Sequence, residues 1–475
     1  MMRNSNAAMA RTAQIDLFTY LENILLQIFE LPELVLFTSN RFTMVVAAGL
    51  VVLYLVYKRR VTIYLLDFTC YQPPAFSRMP HSMFLEYAYL DNQMDADSLS
   101  FQVKITEKSG FSEETGIPDC MTLLPIGKSL SYAREEAELV IFSTVSDLFK
   151  KNNIDPKSID ILIINSSMVS PTPSLSAMVV NKFRMRSNIM TFNLSGMGCS
   201  AGILSVSLAK DLLRVRRNSL AVIVSTELLN VNRYTGKDPS MLLTNCLFRT
   251  GGAAILLSSR DQDKRKAKYE LQHLVRTNNA KDDQSYNCVF QDVDSEMKLG
   301  VSISKDTVKV AGDALKTNIR SLGPLVLPFS EQFRYGVSII CRKMRIQSRL
   351  SFCMPDFKKA FDHFCIHAGG RAIIRGIKKN LQLRDVDVEA SKMTLYRFGN
   401  TSSSSIWYEL CYIETKGRMK KGHRVWQIAF GSGFKCNSAV WKCVHNVERK
   451  ETTAWSDRIN SYPLEIPTAV KIDMN

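Results

Sequence analysis

Between an apolar run typical of a strand and one typical of a helix, the chain reads Asn193-Leu-Ser-Gly-Met-Gly-Cys-Ser-Ala-Gly202. This segment predicts a tight turn that places Cys199 at the start of a helix over 201–215. A helix N-terminus carries partial positive charge and free N–H groups, which would favour a thiolate. The small neighbours of Cys199 would let a substrate carbonyl reach the sulfur and the N–H groups that stabilise an oxyanion. This context favours a nucleophile over an inert core cysteine.

Runs of strand length alternate with runs of helix length around this turn. Apolar segments at 161–165, 220–225 and 253–257 predict buried strands. The segment 133–150 has acidic residues early and a lysine at its end, which predicts a helix. Strands that are buried on both faces need helices on both sides, so the pattern predicts a layered α/β fold.

The composition indicates a large globular protein. The chain has 475 residues, of which 46% are hydrophobic and 22% charged, and this length allows two core-sized units. Its formal net charge of +16 comes from basic residues in patches, but no nucleic-acid-binding motif accompanies them. We therefore favour an anionic membrane surface or a phosphate-bearing substrate over nucleic acid. Eleven cysteines without paired spacing do not predict a disulfide framework, which favours a reducing compartment.

The N-terminal region has the pattern of a membrane anchor. Residues 42–57 form an apolar run that Lys58-Arg59-Arg60 follows, which predicts a span with the bulk of the protein on the cytosolic side. The preceding segment 15–37 has one leucine-rich helical face but also four acidic residues. It is either a poor first span or an interfacial helix. Farther along, 321–355 is apolar and then basic, which fits either a membrane-surface segment or an ordinary amphipathic connector.

A thiol nucleophile needs a basic or electrostatic partner, and His367 is the strongest candidate among six histidines. It ends an apolar strand directly before Ala368-Gly-Gly370, where a side chain can face a cleft. On a strand, His363 and Cys365 would share its face and suggest zinc. No fourth ligand has suitable spacing, so we predict no metal site.

Two glycine-containing turns supply further candidates. Asn400 follows Gly399 and precedes a run of serines, so it is either a helix cap or a cleft residue. The segment Gly431-Ser432-Gly433-Phe434 is either a plain turn or a loop that donates a backbone N–H to an oxyanion. Each candidate is ambiguous by itself, but together they place Cys, His, Asn and a glycine loop on turns after predicted strands.

The longest motifs of the chain carry a resemblance to a known family. They include Gly196-Met-Gly-Cys-Ser-Ala-Gly202, Asp362-His-Phe-Cys-Ile-His-Ala-Gly-Gly370 and Arg397-Phe-Gly-Asn400. With these motifs the chain resembles the plant-type 3-ketoacyl-CoA synthases, the condensing enzymes of very-long-chain fatty acid elongation within the thiolase superfamily. The resemblance runs from about residue 64 to residue 463. It implies a thiolase-like five-layer αβαβα fold of two similar halves, preceded by an N-terminal membrane anchor.

The resemblance also implies a division of the chain. The regions are an anchor region 1–63 with one or two spans, a first half 64–320 with the nucleophilic Cys, a connector 321–355, a second half 356–465 with His and Asn, and a tail 466–475.

The same resemblance implies roles for the candidate residues. Cys199 would attack the acyl-CoA thioester and hold the acyl chain, and His367 and Asn400 would bind the malonyl-CoA thioester oxygen and favour decarboxylation. The carbanion would then attack the acyl group and release a 3-ketoacyl-CoA two carbons longer. His363 matches its usual identity in the family and is a secondary candidate. The N–H of Cys199 and one of the loop Gly431, Ser432, Gly433 and Phe434 would form a second oxyanion site.

No cofactor is implied beyond the substrates acyl-CoA and malonyl-CoA. The resemblance further implies a homodimer that contacts membrane lipid and works with the reductase and dehydratase of the elongase. It places the protein in the endoplasmic reticulum membrane with the catalytic region facing the cytosol.

Three positions depart from the family pattern. The family usually has His where this chain has Tyr396 and Asn278, and it commonly has a Cys in the segment Trp455-Ser-Asp-Arg458. These departures keep open an alternative, a weakly active or non-catalytic paralogue that binds and regulates the elongase complex. A degradative thiolase is disfavoured, since that reaction generally uses a second Cys where this chain has Gly431-Ser-Gly433.

Overall fold

The computed structural model describes residues 45–51, 61–91, 94–124, 126–344, 354–448 and 452–472. The chain divides into two units, residues 1–60 and residues 61–475. In the first unit, residues 45–51 are helical. The rest of the predicted span at 42–57 and the whole of 15–37 lie outside the described residues. Among the helices that are described, we find none with the length and hydropathy needed to cross a bilayer.

The second unit is built around one mixed sheet of nine strands. Its strand order is β3-β2-β4-β5-β1-β6-β11-β10-β9, and β7 and β8 form a separate hairpin. The strands are β1 Tyr64–Cys70, β2 Ile161–Asn165, β3 Met190–Leu194, β4 Leu220–Thr226, β5 Gly252–Ser258, β6 Tyr269–Asn278, β7 Val289–Val293, β8 Leu299–Ile303, β9 His363–Ile366, β10 Arg424–Gly431 and β11 Lys435–Cys443. The three strands predicted at 161–165, 220–225 and 253–257 are confirmed as β2, β4 and β5, and every residue in them is buried.

Helices connect these strands. The helices are α1 His81–Leu90, α2 Ala96–Ser109, α3 Leu130–Asn152, α4 Leu175–Phe183, α5 Ala201–Val215, α6 Pro239–Leu247, α7 Asp283–Tyr286, α8 Thr307–Val326, α9 Phe329–Lys343, α10 Arg371–Leu381, α11 Glu389–Phe398 and α12 Ser405–Thr415. The helix predicted at 133–150 is confirmed as α3, which begins at an N-cap where the Ser129 side chain accepts from the Tyr132 N–H. The helix predicted at 201–215 is confirmed as α5.

The apolar core consists of layers of helices and strands. Helices α5 and α12 lie in the middle, where Ile203 and Trp407 pack with strand residues from both parts of the sheet, such as Ile223 and Trp441. Helices α3 and α4 cover the outer face of β2 and β4, and α8 and α10 cover the outer face of β9 and β10. Full burial of each such side chain contributes about 1.5–3 kcal/mol. The layers are therefore helices, one part of the nine-stranded sheet, the middle helices, the other part of the same sheet, and helices again. The predicted α/β class is confirmed.

Strand β6 links the two parts of the sheet. It meets β1 through the register pairs Tyr64–Glu270 and Leu65–Tyr269, whereas it runs alongside nearly the whole of β11. It therefore pairs mainly with β11 and joins the C-terminal strands to β1. The segment predicted as a tail, 466–475, contacts the folded unit, since Val470 N–H donates to the Glu107 carbonyl at 2.9 Å.

Candidate active site

The turn that carries Cys199 packs backbone to backbone against the loop after β10. Residues 198–200 form a 3-10 turn between β3 and α5. Gly198 has φ +64°, and a Cβ at this position would lie 2.3 Å from the Ser432 backbone nitrogen. Only glycine satisfies both the left-handed backbone and the close approach. The contact brings Cys199 beside the predicted loop 431–434.

A second close approach joins the Cys199 turn to the serine-rich turn before α12. A Cβ at Gly202 would lie 2.5 Å from the Ser403 carbonyl oxygen, so the first residues of α5 abut the 3-10 turn Ser402–Ser404. Asn400 lies just before that turn, at an isolated bridge to Phe248. Residues about 200 positions apart in the sequence, near 200 and near 400, therefore meet in the middle layer.

Cys199, His367 and Asn400 line one cavity of about 490 Å³. Gly431, Ser432 and Phe434 line the same cavity, whereas Gly433 is not among its lining residues. Much of the remaining wall is apolar and comes from α6, β7, β8, α8, α10 and β10. The apolar lining residues include Ile105, Met168, Leu243, Leu247, Phe248, Val289, Val301, Ile303, Val308, Ala372, Ile373 and Phe430.

His367 lies just beyond the end of β9, and its imidazole has a defined orientation. Its Nδ1 is 2.7 Å from the Ser405 hydroxyl oxygen, at the first residue of α12. A Cβ at Gly369 would lie 3.0 Å from its Nε2, so glycine leaves the space beside this nitrogen open. Burial lowers the pKa of His367 to about 4, which makes the imidazole neutral at physiological pH.

Asn400 has an amide whose orientation is fixed by its own turn. Its Oδ1 accepts the Ser402 N–H at 2.9 Å, and its Nδ2 donates weakly to the Gly369 carbonyl at 3.4 Å. With the oxygen occupied in this way, the amide presents an N–H donor to the cavity rather than an acceptor. His367 and Asn400 can therefore both donate to one oxygen in the cavity.

The Cys199 thiol is protonated in this site. Burial raises the pKa of Cys199 to about 12, and the Glu227 carboxyl raises it further, while a hydrogen bond with Ser402 opposes them. The expectation that the helix start favours the thiolate is therefore not met. Desolvation raises the pKa of the thiol more than the hydrogen bonds of the turn lower it. Attack by this sulfur therefore needs a base within the cavity.

Glu227 is the site residue that sequence reasoning missed. It follows β4 directly, lines the cavity and is almost fully buried. Its carboxylate accepts the backbone N–H groups of Ser167 and Met168 at 2.9 and 2.8 Å and the hydroxyl of Ser402 at 3.0 Å. Burial raises its pKa despite these donors. A carboxylate directly after a buried strand was the available signal, because binding sites form at the carboxyl ends of such strands.

Other candidates lie away from the cavity. His363 is at the opposite end of β9 from His367, where its Nε2 is 3.0 Å from Nδ1 of His423, and it does not line the cavity. Tyr396 packs edge-on against Tyr462, and Asn278 is exposed at the end of β6, where it accepts the Ala280 N–H. Across the described ranges, no group of three or more His, Cys, Asp and Glu side chains is arranged to hold a metal ion.

Three basic residues add positive charge to the cavity wall, namely Lys108, Lys305 and Arg371. The Arg371 guanidinium donates to the carbonyls of Thr468 at 2.9 Å and of Ile466 and Lys108 at 3.4 Å. The C-terminal segment therefore holds this arginine beside the cavity. Cationic side chains next to an apolar cavity suit a ligand with an anionic end and an apolar end.

Comparison with known sequences shows which protein families this chain matches. Residues 54–344 match the family model FAE1/Type III polyketide synthase-like protein, and residues 358–443 match 3-oxoacyl-[acyl-carrier-protein] synthase III C terminal. The chain is 59% identical over 429 residues to probable 3-ketoacyl-CoA synthase 21 of Arabidopsis thaliana, which covers 90% of this chain and 92% of that one. It is 55% identical to 3-ketoacyl-CoA synthase 6 of the same plant, over 86% of this chain and 82% of that one.

Solved structures share the fold at low sequence identity. CsyB complexed with CoA-SH superposes with a TM-score of 0.64 at 17% identity, over 80% of this chain and 100% of that one. A type III pentaketide synthase from Neurospora crassa superposes with a TM-score of 0.62 at 16% identity, over 80% and 99% of the two chains. The unit 61–475 therefore has the thiolase-like fold of the type III polyketide synthases.

Proposed function

Because this chain belongs to the 3-ketoacyl-CoA synthase family, we propose that it condenses malonyl-CoA with a long-chain acyl-CoA. It is an acyl-transferring condensing enzyme, and its product is a 3-ketoacyl-CoA two carbons longer than the primer. The observation that carries this assignment is the meeting of Cys199, His367 and Asn400 in one largely apolar cavity. The apolar wall suits an acyl chain, and Lys108 and Lys305 suit the phosphates of CoA.

In the first step the acyl group moves to Cys199. Nε2 of the neutral His367 takes the thiol proton, the sulfur attacks the thioester carbonyl, and the C–S bond to CoA breaks. The CoA thiolate leaves with the proton from His367. Burial raises the pKa of Cys199 to about 12, so the thiol loses its proton only as it reacts.

In the second step malonyl-CoA loses carbon dioxide. Nε2–H of His367 and Nδ2–H of Asn400 donate to the thioester oxygen, where negative charge develops as the C–C bond breaks. The resulting carbanion attacks the acyl carbon on Cys199, and the bond between that carbon and the sulfur breaks. The Cys199 thiolate then takes up one proton from solvent, which balances the proton that the overall reaction consumes. The two steps need opposite tautomers of His367, and the Ser405 hydroxyl permits both because it can either accept from or donate to Nδ1.

We place this enzyme at the cytosolic face of the endoplasmic reticulum membrane. The apolar run 42–57 followed by three basic residues supports an anchor. Helix α9 supports a second membrane contact through its exposed side chains Phe329, Phe333 and Ile340, of which Phe329 is 81% exposed. From the resemblance to the family we further propose a homodimer that hands its product to the reductase and dehydratase of the elongase.

The alternative function is a non-catalytic paralogue that regulates the elongase. Tyr396 and Asn278 motivated this alternative, and neither lines the cavity. Since the residues proposed for chemistry are all present at the cavity wall, we favour the enzyme.

A microsomal elongation assay tests the proposed function. Labelled malonyl-CoA is supplied with acyl-CoAs of several lengths to the wild type, to Cys199→Ala and to Cys246→Ala. Cys246 is a buried cysteine that does not line the cavity. We expect product from the wild type and Cys246→Ala, and none from Cys199→Ala. No product from folded, membrane-inserted wild type with any primer would instead favour the regulatory paralogue.

A further inference from the structure

A second, smaller cavity lies directly behind the catalytic one. It has a volume of about 40 Å³, compared with about 490 Å³ for the catalytic cavity. Met168, Phe248 and Val301 line both, so these three side chains form a partition between the two spaces. Behind the partition, residues of α1, α2 and α6 contribute to the wall, together with Ile117, Met121 and Ile126.

The wall of the second cavity offers little to a polar ligand. Much of it consists of apolar side chains such as Phe84, Ala88 and Ile117. Six of its polar side chains already have protein partners. These are Gln102 with Met94, Asn232 with the Met168 carbonyl, Arg233 with Asp91, Thr244 with the Met241 carbonyl, Asn245 with the Tyr234 carbonyl, and Arg249 with Thr115. Arg249 is also enclosed between the rings of Phe84 and Phe111.

We propose that the second cavity is the far end of the acyl site and receives the terminal carbons of a long acyl chain. The inference rests on the proposed function, because it takes the acyl chain to enter from Cys199. Because the polar side chains of this wall already have protein partners, the apolar side chains are the part of the wall left to bind a ligand, and burial of hydrocarbon against them is favourable. The partition then decides which chain lengths reach the second cavity.

Met168 is the member of the partition most able to move. Its backbone is held at both ends, because its N–H donates to Glu227 and its carbonyl accepts from Asn232. Its side chain is unbranched and adapts its shape readily. Phe248 is less free because its backbone bridges to Asn400, and Val301 is fixed within β8. We therefore assign Met168 as the residue that sets the longest accepted chain.

The test compares Met168→Ala with a matched control, Met178→Ala. Both methionines are partly buried against the same core cluster, but Met178 lines neither cavity. Two quantities are measured. Acylation of Cys199 is monitored by intact-protein mass spectrometry, and elongation is assayed with saturated acyl-CoAs of increasing length. For a primer two carbons longer than the wild-type limit, we expect Met168→Ala to raise relative kcat/KM up to about 15-fold, equivalent to about 1.6 kcal/mol. Met178→Ala should keep the wild-type profile.

A larger side chain that fills the second cavity should have the opposite effect on chain length to Met168→Ala. Ala88 is buried on α1 and lines the second cavity but not the catalytic one. Ala88→Phe should lower acylation by the longest wild-type primers about 10-fold or more and leave shorter primers unaffected. If Met168→Ala does not fold, Ala88→Phe and the smaller Ala88→Leu decide the question.

The outcomes separate this inference from the function on which it rests. If the wild type elongates its primers but Met168→Ala and Ala88→Phe both keep its chain-length profile, the second cavity plays no part in acyl binding. If the wild type neither acylates Cys199 nor elongates any primer, the proposed function itself fails.

Discussion

Replacement of Ser405 by alanine removes the partner of the His367 imidazole. Ser405 is fully buried, and its hydroxyl lies 2.7 Å from Nδ1 of His367. A buried nitrogen that loses its partner costs about 1–3 kcal/mol. If that cost falls on the transition state, in which Nε2 must donate to the thioester oxygen, kcat should fall about 5- to 150-fold. Ser405→Thr keeps the hydroxyl and should recover most of the loss.

The assay is decarboxylation of malonyl-CoA measured alongside complete condensation. Because the effect acts through His367, both rates should fall together while KM for the acyl-CoA changes little. Ser404→Ala is the matched control, since Ser404 is equally buried but its hydroxyl donates to the Thr401 carbonyl at 2.8 Å. Its decarboxylation rate should stay near that of the wild type.

The pH dependence gives a second check on the same reasoning. Burial lowers the pKa of His367 to about 4, so the imidazole stays neutral above that value and gains charge only as the pH falls through it. The ratio of wild-type to Ser405→Ala rates should therefore be constant between about pH 6 and 8. A Ser405→Ala enzyme within twofold of wild type, or an equal loss in Ser404→Ala, would refute the role of this hydroxyl.

Three further predictions follow from the site. Because burial raises the pKa of Cys199 to about 12, its alkylation by iodoacetamide should accelerate about tenfold per pH unit up to at least pH 9, with Cys199→Ala identifying the site; an inflection near neutrality would indicate a preformed thiolate. Gly198→Ala should lower both activity and melting temperature far more than Gly196→Ala, since both glycines have positive φ but a Cβ meets backbone only at Gly198; equal losses would contradict the packing argument. Tyr396→His combined with Asn278→His should change kcat less than twofold, because neither residue lines the cavity, and a large gain would revive the weakened paralogue.

The strands and helices nearest the nucleophile are local features, and the sequence predicted them well. The mostly apolar, fully buried runs of β2, β4 and β5 and the capped helix α3 depend on neighbouring residues within one element. The turn at Cys199 is likewise a local pattern of glycines. Such features are predictable because the spacing of apolar and small residues acts over a few positions of the chain.

Electrostatics at the site could not be predicted in the same way. The sequence favoured a thiolate at Cys199 from its helix start, but the desolvation that opposes it comes from elements distant in the chain. The sequence did not indicate Glu227, because the hydrogen-bond donors to its carboxylate come from Ser402, Ser167 and Met168. These residues surround it only in the folded protein. A pKa reports the sum of burial and neighbours, and neither is encoded locally.

By itself the sequence determined the α/β class and the turn before α5, and it singled out Cys199, His367 and Asn400 as candidates. Only the tertiary structure decided that these residues share one cavity, that His363 stands outside it, and that β6 joins the C-terminal strands. The physical reason is that elements far apart in sequence meet where their apolar faces are buried together. Which faces meet depends on the packing of the whole core.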